Sequence, residues 1–425
     1  MTQGKTIRPK GSLVAALDIG SSKTACFIGR IVDDVGTFEI IGVGHKPSSG
    51  IKNGAIVDIQ AAEGVIRQTV HAAENMAAEI MRGYPLREVV VNVSGVHVRS
   101  FGHSVKVEIG GHEVTQNDVR RALAKAQQKE SDESLELIHT IPTFFHVDGQ
   151  DGVRDPRGMC ADNLKVDVNL VSGEGAALRN MASCIERSHL DISSLCTGSY
   201  AAGISSLVDD EIDLGCTVID IGAGVTSFAV FHSGFMIYCD AVPIGGEHVT
   251  NDIARGLTTS KADAERLKIL YGCAVASQTD EGEMIEVPRL GEEDECGKPN
   301  HVPRSYLVGI IQPRLEEIFE HVRAKISDNG LDKVISRRVV LTGGSSQILG
   351  IRDLSGHVLD KQVRLGKPIR LTGLPDAVSG PAFSTVAGLL TYASEHVEEM
   401  PAEIMARVRP ESLVDRAKLW LRENW

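Results

Sequence analysis

Long apolar runs are missing from this chain of 425 residues. No stretch approaches the ~18 consecutive apolar residues of a membrane-spanning helix, so any membrane contact must be peripheral. The N-terminus begins basic, with Lys5, Arg8 and Lys10, but the apolar stretch from Leu13 to Leu17 stops at Asp18, too short for the core of a secretory signal. Cysteine pairs are also missing: the eight cysteines are scattered with no C-x-x-C, which argues against a disulfide framework and for a reducing cytoplasm. Basic residues are in deficit, 44 against 57 acidic, giving −13; such a balance repels phosphate backbones, so no nucleic-acid partner is expected. His97, His103 and His112 have no carboxylate or cysteine at ligand spacing, and Ser21 and Ser199 stand in no nucleophile elbow. Neither a histidine metal site nor acyl transfer is supported.

What is present is repetition. Leu13-Val-Ala-Ala-Leu-Asp-Ile-Gly-Ser-Ser-Lys-Thr24 aligns with Cys216-Thr-Val-Ile-Asp-Ile-Gly-Ala-Gly-Val-Thr226, so that Asp18, Ile19, Gly20 and Thr24 match Asp220, Ile221, Gly222 and Thr226 without a gap. Each copy is an apolar strand, a tight polar turn and a second apolar strand, the pattern of a β-hairpin. Two copies two hundred residues apart, in a chain longer than one core usually supports, predict two related lobes.

Apolar spacing predicts helices over 58–82, 115–128, 173–187, 260–271 and 305–327, the last with Pro313 inside. Alternation from Val96 to Ile109, around the second of these helices, predicts an inserted α+β unit over 97–172. The stretch 277–304 is polar and rich in Gly and Pro, a surface loop or irregular hairpin. Val339-Val-Leu-Thr-Gly-Gly-Ser-Ser346 is again a strand followed by a glycine turn.

A triphosphate with a divalent ion needs backbone N–H groups aimed at oxygens, small residues that allow close approach, and carboxylates for the ion. Both hairpins supply these, and the turn at Gly343-Gly344-Ser345 offers a flat surface for a base or ribose. The order of these motifs resembles the actin, sugar-kinase and DnaK-chaperone superfamily. That resemblance implies an α/β, two-lobed actin-like (ribonuclease-H-like) fold binding ATP and Mg²⁺. Gly20, Ser21, Ser22 and Lys23 would then meet the phosphates from one lobe and Gly222, Gly224 and Thr226 from the other, with Asp18 and Asp220 holding the Mg²⁺. Gly245 and Gly246 resemble a further phosphate-side turn, and Glu265 and Lys268 the ribose pair, with an exposed i,i+3 ion pair as the alternative. Where the superfamily places a water-activating acid or amide, 194–204 contains none, so slow or absent hydrolysis is expected.

Gly152-Val-Arg-Asp-Pro-Arg-Gly-Met159, Leu164-Lys-Val-Asp167, Val302-Pro-Arg-Ser305 and Ile310-Ile-Gln-Pro-Arg314 narrow the resemblance to the FtsA family of bacterial cell-division proteins. It implies subdomain IA at 1–96 and 173–212, inserted subdomain IC at 97–172, IIA at 213–242 and 337–395, and IIB at 243–336. It further implies self-assembly into filaments, later division proteins as partners, and docking of the FtsZ C-terminal peptide near Arg314, Glu317 and Ile318. A metabolite kinase or a PilM-like pilus protein would share the hairpins but not the tail described next.

Residues 396–411 are a charged linker with Pro401 and Pro410; beyond it a C-terminal amphipathic helix is expected over 412–425. On a helix Leu413, Val414, Ala417, Trp420, Leu421 and Trp425 share one face, and charges fill most of the other. Both tryptophans of the chain stand there, and indole favours the headgroup boundary. The expected location is the cytoplasmic side of the cell inner membrane, at the division site, through a peripheral contact with anionic lipid.

Overall fold

The computed structural model describes residues 10–33, 38–128, 132, 134–289, 300–333 and 336–395. The helix expected over 412–425, with Leu413, Val414, Ala417, Trp420, Leu421 and Trp425, and the linker before it lie outside the described residues.

The first lobe opens with an antiparallel meander, β1 (Leu13–Ile19), β2 (Lys23–Ile31) and β3 (Phe38–Pro47). A two-residue-strand hairpin follows, β4 (Ile51–Lys52) and β5 (Ala55–Ile56). The expected helix then forms as α1 (Ile59–Met76), with the Asp58 carboxylate capping the Ala61 amide. It breaks at Ala77 before a single turn, α2 (Ala78–Met81), which ends on left-handed Arg82. Strand β6 (Glu88–Val93) returns parallel to β1.

The insert is β7 (Val98–Glu108), α3 (Gln116–Gln127), β8 (Leu135–Val147), β9 (Gln150–Val153) and β10 (Asn163–Glu174), a four-stranded sheet ordered β7-β10-β8-β9 with its own core around Val166, Leu170 and Ala122. Thr115 and Asp118 close a reciprocal capping box on α3. The chain re-enters the lobe through α4 (Gly175–Arg187), which starts two residues later than the apolar spacing predicted because β10 runs on to Glu174. It continues with β11 (Asp191–Thr197), α5 (Gly198–Ser206) and α6 (Asp209–Leu214).

The second lobe repeats the plan. It runs β12 (Cys216–Ile221), β13 (Thr226–His232), β14 (Phe235–Val242), α7 (Gly246–Leu257) and α8 (Lys261–Tyr271). An irregular hairpin, β15 (Met284–Val287) and β16 (Asn300–Pro303), occupies the polar stretch. Then come α9 (Arg304–Asp328), continuous through Pro313, β17 (Arg338–Thr342), α10 (Ile351–Leu359), β18 (Gln362–Leu365) and α11 (Ser384–Glu395).

The two five-stranded sheets are ordered β3-β2-β1-β6-β11 and β14-β13-β12-β17-β18, each an antiparallel meander followed by two parallel neighbours. Helix α5, buried at all nine residues, and α11 lie between them. Residues 384–395, expected from the resemblance in subdomain IIA, pack through Val386, Leu389 and Leu390 into a core shared by both lobes, with Leu17, Phe27 and Val91 on one side and α5 on the other. Their apolar faces need cover on both sides, and only the space between the sheets provides it.

Candidate nucleotide cleft

Strands β1 and β12 each end one residue after an acid. In the first hairpin Asp18 faces Ala25 and Ile19 faces Thr24; in the second Asp220 faces Ser227 and Ile221 faces Thr226. The turns close alike: Gly20 N–H donates to Lys23 O (3.1 Å) and Gly222 N–H to Val225 O (3.0 Å). A Cβ at Gly20 or Gly222 would stand 2.8 or 2.9 Å from those same carbonyl oxygens, so the tight turn requires glycine at both places.

The two turns meet over one cleft of ≈ 910 Å³. Asp18, Gly20, Ser21, Ser22, Lys23, Asp220, Gly222, Gly224, Gly246, Glu265, Lys268, Gly343, Gly344 and Ser345 all line it. The lobes touch where an added Cβ on Gly224 would lie 2.7 Å from Ser21 Oγ and 2.9 Å from Asn53 Oδ1. The Asn53-Gly54 tip between β4 and β5 is itself held by Gly54 N–H donating to Ser21 Oγ (3.2 Å).

Two expected site residues do not line it. Thr226 is wholly buried and its hydroxyl donates to Ile244 O (2.8 Å), closing the hairpin from behind. Gly245 faces the second hairpin: a Cβ there would lie 2.6 Å from both Gly222 O and Ala223 O. The amides at the start of α7 are committed as well, Gly246 N–H to Gly222 O (2.9 Å) and Glu247 N–H to Ala223 O (2.8 Å). This turn docks helix to hairpin.

Several lining groups have other tasks than the sequence suggested. Lys23 turns its ammonium to Ala382 O (2.7 Å) and over the Phe383 ring, 3.2 Å from the centroid. Gly343, at φ +86°, lets the third turn pass over β12, for a Cβ would stand 2.3 Å from Asp220 Oδ1. Lys268 does form the i,i+3 ion pair with the half-exposed Glu265 (Nζ–Oε2 2.7 Å), but its own end is buried and also donates to Gly246 O (3.1 Å) and Thr250 Oγ1 (2.8 Å). It therefore ties α8 to the start of α7 and leaves Glu265 at the cleft wall.

Not foreseen from sequence were Ser48, Asn92, Ser94, Thr250 and Thr385 on the lining, where Glu247 of the Gly245-Gly246-Glu247 turn also stands. Asn92 Oδ1 accepts the Ile19 amide (2.7 Å) and so fixes the end of β1, while Thr385 donates to Asp220 Oδ2 (2.9 Å). Only the Asn53-Gly54 dipeptide carried a usable signal, that of a tight hairpin turn.

Electrostatically the floor is under-compensated. Burial pushes the Asp18 carboxyl up from 3.8 to about 7, with nearby Asp220 adding to the rise and Lys23 opposing it. Burial likewise raises Asp220 to about 6, against the Thr385 hydrogen bond and Lys23. The Lys23 ammonium is brought down to about 8, again by burial, although both acids favour its charge. Two carboxylates and one strained ammonium in a poorly solvated recess form a place where an added cation would be stabilised.

The expected partner residues lie on α9. Arg314 pairs with Asp252 (Nε–Oδ2 2.6 Å) and with Glu317. Ile318, expected on the same groove, is fully buried in the core of the second lobe, because α9 turns Leu315, Ile318 and Phe319 inward together. It offers no surface to a partner.

Comparison with known proteins matches residues 217–388 to the family model "Cell division protein FtsA" and residues 95–172 to "SHS2 domain inserted in FTSA". Cell division protein FtsA of Rhizobium meliloti (strain 1021) is 39% identical over 98% of this chain and 96% of its own. Its counterpart in Pseudomonas aeruginosa is 32% identical over 98% and 99%. In fold the chain is similar to the protein of a PilM-PilN type IV pilus biogenesis complex (TM-score 0.62, 16% identity, 90% of this chain and 98% of that one). It is also similar to MreB5 of Spiroplasma citri bound to ADP (TM-score 0.53, 12% identity, 94% and 99%). These likenesses establish a mixed α/β actin-like fold carrying an inserted SHS2 domain, and at this identity and coverage the chain belongs to the FtsA family of cell division proteins.

Proposed function

We propose that this chain binds ATP with Mg²⁺ in the cleft between its lobes and polymerises on the inner face of the cytoplasmic membrane at the division site. There it tethers FtsZ filaments through their C-terminal peptide and recruits later division proteins. One observation carries the nucleotide part: two hairpins of identical register, one per lobe, bring Asp18 and Asp220 to the floor of one cleft, with polyphosphate-sized room above them. Mg²⁺ is characteristically held by one or two carboxylates together with substrate phosphates and water, and a buried acid pair with raised pKa values suits that donor set. Asp18 and Asp220 would hold the ion, which would neutralise phosphate charge. Gly20, Ser21, Ser22, Gly222 and Gly224 would lie along the phosphates, and Glu265, Gly343, Gly344 and Ser345 along the nucleoside. The chemistry is conformational: ligand bridging both turns favours the closed arrangement, and no acid or amide at 194–204 is available to activate water, so turnover is slow or absent.

Arg314 supports the partner reading in an altered form, since an acidic peptide would take its guanidinium from Asp252 and Glu317. The apolar face of the tail from Leu413 to Trp425, with both tryptophans, supports the membrane reading. One tail binds weakly, and a filament gains firm attachment by presenting many. The division of the lobes into IA, IC, IIA and IIB belongs to the same proposal.

Calorimetric titration with ATP, with and without Mg²⁺, tests the cleft. Wild type should bind with Mg²⁺-dependent affinity, and Asp18→Asn/Asp220→Asn should lose that dependence. In a second arm the chain is pelleted with anionic vesicles, which Trp420→Glu should prevent. Nucleotide binding that ignores both Mg²⁺ and the Asn substitutions would remove the reading.

A further inference from the structure

Helix α11 begins at the cleft and ends against the inserted subdomain. Its second residue, Thr385, donates to Asp220 Oδ2 (2.9 Å). Just before it, Ala382 and Phe383 hold the Lys23 ammonium. One turn on, Gly388 meets α5 backbone to backbone: a Cβ there would stand 1.8 Å from Ala201 O. Ser205 of α5 in turn donates to Ser384 O (2.7 Å), so the two helices are locked as a block with no side chain able to slide between them. Seven residues beyond Thr385, roughly 10 Å along the axis, the buried Tyr392 stands edge-on to His139 of β8 with ring centroids 5.6 Å apart. His139 is also edge-on to Tyr200 of α5 (5.3 Å), and its Nε2 accepts the Thr197 amide (3.0 Å) at the point where α5 starts.

We propose that Thr385 is a positioning residue that ties the Asp220 carboxylate to α11, and that the α11–α5 block thereby couples the state of the cleft to the seating of the inserted subdomain at His139. Among the described residues, this hydroxyl-to-carboxylate bond is the side-chain hydrogen bond that joins Asp220 itself to the block; it runs from β12 to α11 beside a second bond, Thr342 Oγ1 to Ser384 Oγ (2.7 Å), which does not touch the carboxylate. Past it the path has no compliant step, because packed backbones transmit displacement rather than absorb it. The second arm of the test rests on the nucleotide reading; the first does not.

Amide hydrogen exchange on the full chain, read by mass spectrometry, compares wild type, Thr385→Val and Thr385→Ser. Without nucleotide, Thr385→Val should raise exchange in peptides covering 135–147 by about tenfold, the scale of a lost hydrogen bond to a charged group. Thr385→Ser, which keeps the hydroxyl, should stay within about twofold of wild type, and peptides covering α7 should be unchanged. With Mg²⁺-ATP at saturation, wild type should gain protection over 135–147 and Thr385→Val should not. Unchanged exchange over 135–147 in Thr385→Val, or an equal rise throughout the chain including α7, would overturn the proposal. Should wild type fail to bind ATP, the nucleotide reading falls while the first arm still decides this one.

Discussion

Neutralising the acid pair gives the sharpest test of the cleft's electrostatics. In the folded chain the Asp18 carboxyl titrates at about 7 and Asp220 at about 6, each from 3.8. A folded-state acid with a raised pKa holds its proton over a range where the unfolded chain has lost it. The folded state then binds more protons between about pH 4 and 7, and stability falls as pH rises through that window. At ~1.4 kcal/mol per pKa unit the penalties are roughly 4 kcal/mol for Asp18 and roughly 3 for Asp220. They overlap, because part of the Asp18 rise comes from Asp220 itself, so about 4 to 5 kcal/mol for the pair is the working figure. Lys23 leaves this window untouched: its pKa is depressed to about 8 from 10.5, so its penalty is constant below pH 8 and fades only above it. About a unit of each shift is already spent below pH 5, so roughly 3 kcal/mol falls between pH 5 and 7.5; with an unfolding entropy of ~2 cal/mol/K per residue, the pair should lower Tm by about 3 °C over that range in EDTA. Thermal unfolding of wild type and Asp18→Asn/Asp220→Asn, followed by circular dichroism across that range, isolates the term from every other carboxylate. The double variant should show a shallower slope by that amount, and Mg²⁺-ATP should flatten the wild-type curve. Parallel slopes for the two proteins would refute the argument that these acids are strained by burial.

Two other perturbations follow from contacts already described. Gly388→Ala would drive a methyl into the Ala201 carbonyl where α11 and α5 touch; with both helices held between two sheets, a loss of about 3 kcal/mol or more is expected, measured by urea unfolding. Asp252→Asn would release Arg314 from one of its two carboxylates, so an acidic fluorescent peptide should bind several-fold tighter by anisotropy and Arg314→Ala should abolish the gain; equal affinity in both variants would place the peptide elsewhere.

The parts of this molecule that sequence made legible are those governed by short-range geometry. Asp18-Ile-Gly and Asp220-Ile-Gly align because each must end a buried strand, turn without a Cβ and present an acid, and the structure repeats them to the register. Helix starts at Asp58, Thr115 and Ser260 were equally visible, since a side-chain oxygen three residues before an amide is a local device. What escaped was the allocation of hydrogen bonds across long separations. Thr226 aligns with Thr24 as well as Asp220 does with Asp18, yet its hydroxyl is taken by Ile244 O, eighteen residues on. Gly245 and Gly246 carry the composition of a phosphate loop, while the carbonyls of Gly222 and Ala223 already use the amides at the start of α7.

The same distinction explains Lys23, Lys268 and Arg314. Each is a cation at a position where a family likeness suggests a ligand contact (phosphate for Lys23, ribose for Lys268, an acidic peptide for Arg314), and each has donors turned toward the chain itself: to Ala382 O, to Gly246 O, and to Asp252. A donor already satisfied contributes to ligand binding only the difference between its two partners, which is far less than the full strength of either contact. Asp18 and Asp220 are the opposite case, since burial has removed their water and Lys23 and Thr385 return only part of what was lost. The net gain on binding a metal-bound polyphosphate therefore concentrates on the two acids and the bare backbone of their turns, and substitution of the surrounding cations should alter the shape of the cleft more than its affinity.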